Sequence, residues 1–136
     1  MRRAHYVFLV LLLTRATAAP AASFTNWMTS SRLTHMLLEM SENREFPARV
    51  EGRLEGEQIQ YRAQFVPYLP KMDYFESRWG MSQDWYVAYS KQLISHGFHE
   101  YSRTVFHDIA GNVLYQVTWV LIGPKPSPTR KASNAI

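Results

Sequence analysis

A chain of 136 residues with 46% hydrophobic and 14% aromatic content has the apolar material for one packed domain, which excludes disorder throughout. The net charge of +4 gathers at the ends, with Arg2, Arg3 and Arg15 near the start and Lys125, Arg130 and Lys131 near the finish. The body between is slightly acidic and has no basic run of the kind that grips phosphate backbones, so no nucleic-acid partner is expected. The absence of cysteine excludes a disulfide framework and a thiolate metal site.

The chain opens on Met1-Arg2-Arg3-Ala4-His5, an apolar run from Tyr6 to Leu13, and a small-residue exit Ala16-Thr17-Ala18. A positive start, a short apolar block and an Ala-x-Ala exit predict a secretory signal peptide over 1–18, with cleavage as late as residue 21. The apolar block is too short for a bilayer-crossing helix, which needs about 20 residues. A secreted mature chain with no membrane span is the expectation, and losing three arginines and no acid leaves it close to neutral.

Next comes a helical pattern in which Leu33, Met36, Leu37 and Met40 share one face and Thr29 or Ser30 supplies the N-cap. Alternating segments Arg49 to Leu54 and Gln58 to Val66 then flank Glu55-Gly56-Glu57, predicting a hairpin. Residues 67–78 read as a connector, too aromatic for a free linker and so packed along the domain. A second helix begins at Ser82, turns Tyr86, Tyr89, Leu93 and Trp85 inward, and ends near His96 because Gly97 supplies a left-handed stop. A second hairpin follows, Phe98 to His107 and Val113 to Ile122 about Asp108 to Asn112. A tail over 123–136, with Pro124, Pro126 and Pro128 among polar residues, is expected to be disordered.

The two helix-and-hairpin stretches match in order and spacing. Trp27-Met28-Thr29-Ser30 corresponds to Gly80-Met81-Ser82-Gln83, and Tyr61-Arg62-Ala63-Gln64-Phe65 to Tyr115-Gln116-Val117-Thr118-Trp119. Recurrence at a fixed offset predicts two repeat units, 24–66 and 79–122. The expected fold class is α+β: two helix-plus-antiparallel-hairpin repeats forming one sheet, with both helices on one face and the other face wetter. Such units bury each other's edges, so a second copy of the chain is an expected partner.

The run Trp79-Gly80-Met81-Ser82, the helical Tyr86 and Tyr89, His96-Gly97-Phe98 and the closing Tyr115-x-Val117-x-Trp119 resemble the bacterial tandem repeat domain found in the N-terminal part of polyglycine hydrolases. Residues 78 to 121 carry the pattern. Residues 27 to 67 depart from it, with Arg44-Glu45-Phe46-Pro47 at the helix exit and Phe65 where Trp is expected. The resemblance implies a repeat architecture; the serine-hydrolase domain that does the chemistry in that family, with its Ser-x-x-Lys nucleophile, has no counterpart in this sequence.

Candidate chemistry is sparse. His96 and His99, with Glu100 and His107 nearby, are weak candidates for a metal site, and Gly97 breaks the helix between them. His107 and Asp108 read as polar turn residues, and Glu51, Glu55 and Glu57 as partners of Arg49, Arg53 and Arg62 across the first hairpin. No residue is singled out as catalytic, and no phosphate loop or other cofactor motif is present. The aromatic residues Tyr68, Tyr74, Trp79 and Trp85, with Phe75, are the candidate binding residues, because large rigid rings stack on sugars and peptides. The expected function is a secreted interaction module for an extracellular protein, peptide or glycan, in use as an effector or toxin, with a small secreted hydrolase or an accessory subunit of a serine-hydrolase system as the alternative.

Overall fold

A computed structural model describes residues 22–123. The expected signal peptide and all of the tail beyond Gly123 lie outside the described residues.

Two helices of 13 residues start and stop in related ways. Helix α1 (Ser30–Glu42) is capped by Thr29, whose Oγ1 accepts the Arg32 N–H at 3.2 Å, and α2 (Gln83–Ser95) by Ser82, whose Oγ accepts the Trp85 N–H at 3.2 Å. After α2 the Gly97 N–H donates to the Ile94 carbonyl and the Phe98 N–H to the Leu93 carbonyl, with Gly97 at φ 89°. Those paired bonds about a left-handed residue satisfy carbonyls that a helix end leaves free. After α1 the same role falls to Arg44, at φ 56°, whose N–H donates to the Ser41 carbonyl. Arg44 thus takes, with a side chain, the left-handed backbone path that Gly97 takes after α2.

The strands are β1 (Glu45–Glu55), β2 (Gln58–Pro67), β3 (Met72–Met81), β4 (His99–His107) and β5 (Val113–Ile122), all paired antiparallel. They form two sheets, β1-β2 and β3-β5-β4, where the sequence suggested one. The connector supplies most of β3, so a strand stands where only packed chain was expected. Ahead of α1, Phe24 and Met28 bridge to Gln64 and Tyr61 along the outer edge of β2.

The physical reason for two sheets lies in β5 and β1. Gln116 and Thr118, expected on a wet face, are each 1% exposed, and β5 is buried from Gln116 to Leu121. One face of β5 packs Val117, Trp119 and Leu121 under α2 with Met81, Leu93 and Phe98. The opposite face meets β1: Thr118 Oγ1 donates to the Pro47 carbonyl at 2.8 Å, and Thr104 Oγ1 donates to the Val50 carbonyl. Hydroxyls from one sheet therefore satisfy β1 carbonyls that a continuous ladder would have used. Gly52 allows this approach, since a Cβ there would fall 2.3 Å from the Phe106 ring.

Each helix covers its own sheet, so no common face exists for both. α1 lays Leu33, Met36, Leu37 and Met40 on Val50, Tyr61, Ala63 and Phe65 of β1-β2. A third cluster of Phe46, Ala48, Met72, Phe75 and Val120 joins β1 to β3 and β5. Burying each Val, Leu, Met or Phe side chain of these clusters stabilises by roughly 1.5–3 kcal/mol.

Candidate functional site

β3 sits at the rim of its sheet with β5 on one side only, and cavities open on both of its faces. On the α2 face a cavity of about 440 Å³ is lined by Tyr74, Tyr89, Leu93, Phe98 and Leu121 among apolar groups and by Asp73, Glu76, Gln92 and His96 among polar ones. On the α1 face, one cavity of about 350 Å³ reaches Leu37, Leu38, Tyr68, Tyr74, Phe75 and Arg78, and another of about 330 Å³ reaches Ser30, Leu37, Arg78, Trp79 and Trp85. The four aromatic candidates named from the sequence, Tyr68, Tyr74, Trp79 and Trp85, therefore line neighbouring cavities.

Their roles differ. Tyr68 is half-buried, edge-on to Phe46 and Phe75, with the Arg44 guanidinium 4.8 Å above its ring. Trp79 packs with the α1 cluster and donates from Nε1 to Ser30 Oγ at 2.8 Å. Tyr74 is 54% exposed and Trp85 46% exposed. The inward position expected for Trp85 is not what the structure has, because the α2 face toward Trp119 is filled by Tyr86 and Tyr89. Tyr74 stacks on Phe75 and meets Phe98 edge-on, so its orientation is fixed while its outer surface stays wet.

The polar side of the α2-face cavity is likewise held in place. Glu76 Oε2 accepts the Tyr89 hydroxyl at 3.2 Å and pairs with Arg78 Nη1 at 3.1 Å, while the Arg78 guanidinium lies 5.2 Å over the Tyr89 ring. Burial is the main cause that pushes the Tyr89 hydroxyl above the ordinary tyrosine value, with Glu76 adding to the rise and Arg78 opposing it. Across α2 a matching set joins Tyr86, Glu100 and Arg103: the Tyr86 hydroxyl donates to Glu100 Oε1 at 2.9 Å and accepts from Arg103 Nη1 at 2.9 Å. Asp73 brings a carboxylate to the cavity that forms no ion pair among the described residues.

His96 lines this cavity, with Nδ1 2.7 Å from the Gln92 carbonyl, whereas His99 stands on β4 opposite Val120. Among the described residues no group of three or more His, Cys, Asp or Glu comes together as a metal site. Asp108 closes the second hairpin by accepting from the backbone and side chain of Asn112, at 2.8 and 3.1 Å, and the backbone bond leads in holding its carboxyl below the usual range. Glu51 accepts from Arg62 at 2.8 Å, so the first hairpin carries the expected cross-strand charge pairing.

Sequence reasoning missed Asp73, Glu76 and Gln92. The signal available for Glu76 was alternation within the connector, where Phe75 and Ser77 turn to one face and Glu76 and Arg78 to the other. Comparisons with protein-family models, with curated proteins and with solved structures found no match to this chain.

Proposed function

We propose that this chain is a secreted interaction module, built from two copies of a strand-helix-hairpin unit, that binds a glycan across the β3 rim. Tyr74 carries the reading: a half-exposed ring, held by Phe75 and Phe98, that borders cavities on both faces of one strand and has carboxylates on either side of it in sequence. A sugar ring offers C–H faces to an aromatic platform and hydroxyls to carboxylate and amide acceptors, which is the chemistry of Tyr74 and Tyr89 with Asp73, Glu76 and Gln92.

The repeat reading draws support from matched positions. Met28 bridges Tyr61 as Met81 pairs with Tyr115, Thr29 and Ser82 cap the helices, and Arg44 and Gly97 follow them in the left-handed conformation. Export rests on the leader sequence.

An oligosaccharide array probed with the purified chain, followed by calorimetry on any positive glycan, tests the proposal. Tyr74→Ala is expected to weaken binding about tenfold, equivalent to about 1.4 kcal/mol, without altering the circular dichroism spectrum. An empty array, or an affinity indifferent to Tyr74, would refute it.

A further inference from the structure

Two of the four sheet edges are occupied, and those of β3 and β4 have no strand beside them among the described residues. β1 meets the second sheet through its Pro47 and Val50 carbonyls and β2 is bridged by Phe24 and Met28, while β4 touches β1 only by the Thr104 side chain on its face. The outer edge of β3 has no strand beside it among the described residues. An open edge of 10 residues is a template for pairing with another chain unless something blunts it.

The sequence along that edge is antisymmetric in charge. Glu76 and Arg78 stand two residues apart on the α2 face, on either side of Ser77. We propose that the β3 edge pairs with the β3 edge of a second copy of this chain, antiparallel about a twofold axis at Ser77. That register sets Glu76 opposite the partner's Arg78, and Arg78 opposite the partner's Glu76, so one contact occurs twice as a twofold interface requires. Moving the axis to Glu76 or to Arg78 would bring like charges face to face, which is unfavourable across strands. Charge therefore favours this register over those centred on Glu76 and Arg78. In the single chain Arg78 Nη1 bonds the Ser77 carbonyl at 2.8 Å and Glu76 at 3.1 Å; in the pair it exchanges the carbonyl for the facing carboxylate. Six strands then run as one sheet, with the cavities on its faces brought together in twofold-related pairs. The pairing does not depend on the glycan reading, and the two are measured separately.

Sedimentation of the purified full chain across a concentration series is the test, with Glu76→Arg and Arg78→Glu as the probes. The wild type is expected to pass from monomer to dimer. Each variant alone presents like charges and is expected to stay monomeric, while an equimolar mixture restores both facing pairs and dimerises. A wild type that is monomeric throughout, a dimer that survives either reversal, or a mixture that stays monomeric overturns the proposal. Should either reversal lose the fold by circular dichroism, Tyr74→Lys replaces it. A lysine on the open edge touches neither ion pair and should raise the dimer dissociation constant roughly tenfold or more; no change would equally overturn the pairing. Glycan affinity, read on the same proteins, is free to persist or vanish on its own.

Discussion

Tyr86 and Tyr89 each pack a ring on Trp119 and send a hydroxyl to a carboxylate that an arginine also holds. Burial leads in raising both hydroxyls above the ordinary value of 10.0, and burial alone does the same for Tyr61. A raised acid keeps its proton in the folded chain at a pH where the unfolded chain has lost it. Stability is therefore intact below pH 10 and falls as pH rises beyond it, because the unfolded state then binds fewer protons. Urea unfolding at a series of pH values should show this alkaline limb, and Tyr86→Phe with Tyr89→Phe should make it shallower, leaving the part due to Tyr61. A limb of unchanged slope in the double variant would show that other groups cause it. Asp108 acts at the opposite end, since its depressed carboxyl contributes above the ordinary value of 3.8 and that contribution is lost as pH falls through the folded value.

The two helices share a length, a hydroxyl cap and a left-handed exit, but one exit is glycine and the other is Arg44. A residue with a Cβ pays about 1–2 kcal/mol for that conformation. Arg44→Gly is accordingly expected to stabilise the chain by about 1 kcal/mol, less whatever the guanidinium gains over the Tyr68 ring at 4.8 Å. The midpoint of urea unfolding should rise; a fall would mean that the ring contact outweighs the backbone strain. Caps, helix faces and turns were legible because each is set by residues a few positions apart, as Ser82 with Trp85 or Gly97 with Leu93 show. β3 was not, because its bulges interrupt the alternation at both ends and Pro67 and Pro70 lie just ahead of it. The candidate aromatics could be named, but the carboxylates beside them could not, since Glu76 joins Tyr89 only when β3 lies under α2.

On the scale of the molecule, each sheet leaves groups that only the other covers. The β3-β5-β4 sheet alone would expose Gln116, Thr118 and Val120 of β5, and the β1-β2 sheet alone would leave the Pro47 and Val50 carbonyls without their hydroxyl donors. Phe106 belongs to β4 by sequence and to the α1 cluster by packing, against Gly52. The two sheets interlock through a buried hydroxyl pair, Ser77 with Thr118 at 3.0 Å, continued to the Pro47 carbonyl. A chain cut between residues 70 and 71 should therefore fail to give two folded fragments, while the two mixed together should regain the dichroism and cooperative unfolding of the intact protein. Independent folding of residues 71–136 would show that β1 is a cover for β5 and not a condition of its structure. In the intact chain the same interlocking predicts a single unfolding transition by fluorescence and by dichroism. Trp119 reports on one sheet and Trp27 on the other, and their signals should be lost together.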